Sequence, residues 1–175
     1  MQDRLWRLLH NAYYALQGKY ISDREGPRFV IFAQGRSGST ALRSLLTNHP
    51  DVMCEGELLM RKKFWPVDFI EGKAHRYTKA DKTWGFKLKW WHITKFQGGE
   101  VTPFIEHLHG SGWKIIYLKR ENILFQALST LAGEARSEAS ATTGNKWRYT
   151  KGDEVETPEI DVGKIERYVT TRVDQ

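Results

Sequence analysis

This 175-residue sequence predicts an α/β fold with a mainly parallel sheet flanked by helices, on three observations. Two short continuous apolar runs, Phe29 to Ala33 and Trp113 to Leu118, read as strands buried on both faces. Segments with helical spacing of apolar residues follow such runs. Gly- and Pro-containing turns separate the two kinds of segment. Strand and helix patterns that alternate in this way build a parallel sheet covered by helices.

The elements follow in order. Leu5, Leu8, Leu9, Ala12, Tyr13 and Leu16 fall at helical spacing and predict a helix over 3–17. Its expected role is packing on the domain; charge on its polar face is sparse, which disfavours a membrane-surface helix. Ser22 to Pro27 is a polar loop. The strand Phe29 to Ala33 runs into a Gly- and Ser-containing loop, and a helix follows over 41–48 until Asn48-His49-Pro50 stops it. Thr83 to Trp90 alternates polar and apolar, as a strand does. Val101 to His109 reads as a helix ended by Gly110 and Gly112. After the strand Trp113 to Leu118, helical spacing returns from Ile123 to Ala135. Residues 142–161 read as a long polar loop and 162–173 as a last helix. No repeat and no second domain is visible, so 1–175 is expected to be one nucleotide-binding domain. Its end within an apparent helix implies a short variant or a domain missing its C-terminal part.

Composition narrows the function classes. Lys and Arg total 27 against 21 Asp and Glu, a net charge of +6 that favours anionic partners. Cys54 is the single cysteine, which excludes a disulfide scaffold and a cysteine-based zinc site. The six His lack metal-ligand spacing, and no metal is expected. No apolar run is long enough for a membrane span, and the N-terminus has no continuous apolar core of a secretory signal. The expected compartment is the cytoplasm, or the Golgi lumen if the chain is trimmed from a longer eukaryotic protein.

Chemistry concentrates in the loop Gln34-Gly35-Arg36-Ser37-Gly38-Ser39-Thr40. A strand, a Gly-containing loop and a helix in that order expose unpaired backbone N–H groups and the positive end of a helix dipole. Gly35 and Gly38 let the backbone close on a phosphate, Ser37, Ser39 and Thr40 add hydroxyls, and Arg36 adds a fixed charge. The loop lacks the Lys of a Walker A motif, which weakens a kinase or NTPase reading. Gly35 to Leu42 resembles the 5′-phosphosulfate loop of sulfotransferases that use 3′-phosphoadenosine 5′-phosphosulfate (PAPS). The segment His49-Pro50-Asp51-Val52-Met53-Cys54-Glu55-Gly56-Glu57 is similar to one found in bacterial carbohydrate and tyrosylprotein sulfotransferases. Ile116-Tyr117-Leu118-Lys119-Arg120-Glu121-Asn122, continuing to Ser129, resembles the family's 3′-phosphate motif. The three pieces cover roughly residues 28–130 and occur in the family's order.

The resemblance implies a P-loop-kinase-like sulfotransferase fold, PAPS as co-substrate with PAP as product, and no metal. It implies that Arg36 binds the 5′-phosphate and steadies the departing charge, and that Glu57 is the general base. Arg120 and Ser129 would clamp the 3′-phosphate. Ser129 lies nine residues after Arg120, where eight is the commoner family spacing. Glu55 competes with Glu57: in an extended segment both point to one side, and only the family spacing selects Glu57. His49 is a weaker base candidate, better read as structural. Lys87 and Lys89 either help neutralise the sulfate or form a solvated strand edge. Trp90, Trp91, Trp147 and Tyr149 pack in a core or stack on a ring. The expected function is sulfuryl transfer from PAPS to a hydroxyl or amine of a carbohydrate or other small metabolite. Its acceptor would be selected by 61–81 and 133–157. The alternatives are a P-loop nucleotide kinase or NTPase and a non-catalytic anion- or nucleotide-binding module; no nucleic-acid-binding signature is present.

Overall fold

The computed structural model describes residues 2–20, 26–78, 82–139 and 161–173. The chain divides into two compact units, Met1–Gln34 with Gly38–Lys119, and Gly35–Ser37 with Arg120–Gln175.

The larger unit holds a four-stranded sheet built from β1 (Arg28–Ala33), β2 (Val52–Glu57), β3 (Thr83–Leu88) and β4 (Lys114–Leu118). The order is β2-β3-β1-β4 and every pairing is parallel. The central β1 is buried because it has strands on both sides and helices on both faces. Side chains alternate across it. Phe29, Ile31 and Ala33 pack with Leu42 and Leu46 of α2 (Ser39–Leu46) and with Cys54. Val30 and Phe32 face the larger core. That core holds Trp84, Phe86, Leu88 and Trp113, with side chains from α1 (Gln2–Tyr20), α3 (Pro66–Thr78) and α4 (Val101–Gly110). This is the α/β architecture that the alternation predicted.

Among strands and α-helices, two lie where no element was expected. β2 is one. The other is α3, which occupies most of the 61–81 stretch read as an acceptor-selecting insertion. α3 packs against α1 at an unusually close approach. A Cβ on Gly72 would lie 2.0 Å from the Tyr14 carbonyl oxygen, and one on Gly18 would lie 1.8 Å from that of Asp68. Only glycine fits at either place. α3 also brings Glu71 into the core, where Arg28 Nη1 donates to it at 2.5 Å and Trp113 Nε1 at 2.8 Å. Arg28 Nη2 donates to the Ser111 carbonyl at 2.7 Å. The buried carboxylate is thus satisfied at both oxygens, as burial of a charge requires. After β3 the chain forms a single π-helical turn, His92–Gln97.

The smaller unit contains α5 (Ile123–Ala139) and α6 (Val162–Val173). Asn122 opens α5 as its cap: its Oδ1 accepts from the Phe125 backbone N–H at 2.9 Å. Thr130 Oγ1 donates to Tyr168 Oη at 3.0 Å and ties the two helices. Trp147, Tyr149 and most of 142–161 lie outside the described residues.

Candidate functional site

The loop after β1 carries two residues in left-handed backbone conformation. Gly38, at φ 87°, is the residue before α2, and a glycine adopts this geometry without steric cost. Arg36, at φ 61°, is the one described non-glycine with positive φ. Such a residue costs about 1–2 kcal/mol, and strain of this kind collects at ligand-binding positions.

In the smaller unit, three residues remote from this loop segment in sequence converge on it. Arg36 Nε donates to Ser129 Oγ at 2.9 Å. Arg120 Nη1 donates to the Arg36 carbonyl at 3.3 Å, and Gln126 Nε2 donates to the Gly35 carbonyl. Gly35, Arg36, Arg120 and Ser129 were all selected from sequence, and the nine-residue spacing leaves Ser129 on the Arg36 guanidinium. Gln126 was not foreseen. It sits one turn before Ser129 on the same face of α5, a periodicity that could have suggested it. Ser37 belongs to the same segment.

In the larger unit, Ser39 and Thr40 open α2. Ser39 is buried, and Thr40 Oγ1 accepts from Lys87 Nζ at 3.0 Å. Lys87 therefore stands beside the positive end of the α2 dipole, where a cation is unfavourable unless an anion joins it. Its Nζ is 3.4 Å from Glu57 Oε1, and Lys89 Nζ is 2.7 Å from the same oxygen. These lysines are not a solvated edge: their side chains are 9% and 17% exposed. His92, fully buried, completes the group with Nε2 3.5 Å from Glu57 Oε2. The Lys89 backbone N–H donates to His92 Nδ1 at 3.2 Å, so the ring proton sits on Nε2 and faces the carboxylate. His92 was not among the residues selected from sequence. Its place five residues after Lys87, just past the strand end, was the available signal.

Burial pushes the Glu57 carboxyl pKa up, but His92, Lys89 and Lys87 outweigh it and hold the group well below the usual carboxylate range. Burial drives Lys87 down, aided by Lys89 and Arg43 and opposed by Glu57.

Sequence alternation placed Glu55 and Glu57 on one side; the structure corrects this. Glu55 pairs with Phe86 of β3 and Glu57 with the next residue, Lys87, so Gly56 is an extra residue in β2. Such a bulge breaks the period of two. Glu55 turns to Lys73 of α3, whose Nζ donates to both its oxygens at 2.8 Å. Glu57 alone joins the lysines next to Thr40. His49 fits the structural reading, since its Nδ1 accepts from the Asp51 backbone N–H at 3.2 Å in an exposed turn. Trp90 and Trp91 meet edge to face, and Lys89 lies 4.8 Å from the centre of the Trp91 ring. Among the described residues no cluster of three or more His, Cys, Asp or Glu could hold a metal ion. No described helix is long and apolar enough to cross a membrane.

The fold defines an α/β protein with an all-parallel sheet. In the larger unit Glu57, Lys87, Lys89 and His92 gather near Thr40, and in the smaller unit Arg120, Gln126 and Ser129 gather on Gly35 and Arg36. Comparison with protein-family models, with curated proteins and with solved structures finds no match.

Proposed function

We propose that the chain is a PAPS-dependent sulfotransferase of P-loop-kinase-like type. The observation that carries the reading is the Arg36–Ser129 hydrogen bond at 2.9 Å, with Arg120 on the Arg36 carbonyl. These are the three side chains that the sequence resemblance marks as phosphate ligands, and the strained Arg36 backbone accords with a ligand-binding role. Arg120 and Ser129 hold the 3′-phosphate; Arg36, Ser37, Ser39, Thr40 and the backbone N–H groups of Gly35 and Gly38 hold the 5′-phosphosulfate. Arg is suited to this task because its fork meets two phosphate oxygens at once.

In the transfer, the acceptor hydroxyl or amine forms a bond to sulfur while the S–O bond to the 5′-phosphate breaks and PAP leaves with the electron pair. Glu57 takes the acceptor proton. With Lys87, Lys89 and His92 around it, Glu57 is ionised but a weak base. The anionic donor competes for both lysines, and their departure raises the affinity of Glu57 for a proton. The catalytic base thus gains strength when the donor is bound, and the lysines then offset charge on the transferring sulfuryl group. A carbohydrate or other small-metabolite hydroxyl is the proposed acceptor class.

The test is transfer of labelled sulfate from PAPS to a panel of hydroxyl and amine acceptors. Glu57→Gln is expected to lower kcat by about 10²–10⁴-fold, the usual worth of a positioned base, while leaving PAP bound. Arg36→Ala is expected to weaken PAP binding as well. Nucleotide binding without transfer to any acceptor would support a non-catalytic binding module instead, and Mg²⁺-dependent ATP hydrolysis would support a kinase or NTPase.

A further inference from the structure

α1 has two apolar faces, and among the described residues only one is covered. Tyr14, Ala15 and Gly18 pack on α3. On the other side Leu5, Leu9, Tyr13, Leu16 and Tyr20 recur at intervals of four, four, three and four residues, one continuous helical stripe. Each is at least 47% exposed, and Trp6 beside them is 66% exposed. A lone exposed leucine needs no explanation, but a ridge of this length does.

The charge that the helix lacks is supplied by the loop beside it. Met60-Arg61-Lys62-Lys63-Phe64-Trp65 flanks α1 at two levels: Lys63 Nζ donates to Asn11 Oδ1 at 2.9 Å, and Lys19 Nζ lies 5.7 Å from the centre of the Trp65 ring. Phe64 and Trp65 are exposed, at 71% and 48%, between these basic residues. Residues 2–20 contain Arg4, Arg7 and Lys19 against Asp3, and residues 60–68 contain Arg61, Lys62 and Lys63 against Asp68, so basic residues are in clear excess. The crowding registers on Lys63, whose pKa is lowered by burial first and then by Lys73 and Arg61.

We propose that this surface is a docking site for an anionic lipid membrane, with α1 lying in the interface and not crossing it. Leucines on the outward stripe enter the acyl boundary, Trp and Tyr sit at headgroup depth, and the flanking Lys and Arg meet anionic headgroups. A second copy of the chain fits poorly. A two-fold contact through this stripe would bring together the basic excess of both copies, which Asp3 and Asp68 are too few to offset. The proposal is independent of the nucleotide reading.

The experiment is co-sedimentation of the full chain with vesicles of phosphatidylcholine alone and with added phosphatidylserine, with size measured in parallel by light scattering. Binding is expected only to the phosphatidylserine vesicles and should weaken with salt. Arg61→Ala with Lys62→Ala should weaken it about 30-fold, from the usual worth of one basic residue at an anionic surface. Leu9→Glu with Leu16→Glu should weaken it by at least about 100-fold, since both leucines leave the acyl boundary and add repelled charge. All four positions are exposed loop or outward-stripe sites, so circular dichroism should stay unchanged. Absence of binding to phosphatidylserine vesicles, or binding unaffected by the leucine pair, overturns the proposal. So does a dimer that the leucine pair dissociates, which would assign the stripe to self-association.

Discussion

Replacing Glu57 by Gln probes the carboxylate that faces Lys87, Lys89 and His92, with almost no change in shape. The substitution removes one short charge-assisted contact, to Lys89 at 2.7 Å, and two longer ones at 3.4 and 3.5 Å. A hydrogen bond to a charged group contributes about 1.5–3 kcal/mol. Breaking a fully buried ion pair costs about 3–5 kcal/mol, an upper bound here because Glu57 and Lys89 keep 18% and 17% side-chain exposure. Lys87 retains Thr40 as an acceptor, which lowers the cost further. The expected loss is about 2–3 kcal/mol at pH 7, a fall of about 5–10 °C in Tm for a chain of this size. The pH dependence supplies a sharper readout. The folded Glu57 pKa lies below the ordinary 4.5, so its stabilisation is fully present above pH 4.5 and is lost as pH falls through the folded value. The gap in Tm between wild type and Glu57→Gln should therefore be constant from pH 5 to 7 and narrow below pH 4.5. Thermal melts followed by circular dichroism from pH 3 to 7 measure it. A gap under about 1 °C at pH 7, or one that widens on acidification, would refute the reasoning.

Three further outcomes are expected. Gly72→Ala should lower stability by about 3 kcal/mol or prevent folding, because its Cβ meets the Tyr14 carbonyl and α1 must move off α3; urea unfolding checks this. Ser129→Ala should weaken PAP binding about 10-fold by removing a phosphate hydroxyl and the acceptor that orients Arg36, as measured by calorimetric titration. Cys54 should resist alkylation by iodoacetamide at pH 8 in the native state and react on unfolding, since it is buried and its pKa is pushed up to about 11, chiefly by burial.

Local signals made much of this molecule legible. β1 announces itself because a central parallel strand is apolar along its length, and the loop after it because its glycines and hydroxyls are contiguous. β4 was found from its apolar run, but the expectation that it is buried on both faces is corrected: it is an edge strand with Lys114 and Tyr117 exposed. β2 escaped because it is an edge strand, bound to β3 alone, whose sequence Val-Met-Cys-Glu-Gly-Glu carries two carboxylates and a bulge. α3 escaped because Gly72 interrupts its helical signal while Glu71 and Lys73, both buried, look like surface residues. Their partners, Arg28 and Trp113 for Glu71 and Glu55 for Lys73, lie at least 18 residues away. The same reason hid the setting of Glu57: its choice over Glu55 depends on a register shift that only strand pairing reveals. Arg36, Arg120 and Ser129 could be selected by motif, but the two hydrogen bonds that join them span 93 and 84 residues.

The central claim is that the Gln34–Thr40 loop, with Arg120 and Ser129, binds an adenosine 3′,5′-bisphosphate. Calorimetric titration with PAP at fixed salt tests it most directly. The account predicts a Kd of about tens of micromolar or tighter for the wild type, weakened at least about tenfold in both Arg36→Ala and Arg120→Ala. Absence of PAP binding at about 100 micromolar, or binding that neither substitution alters, would contradict it.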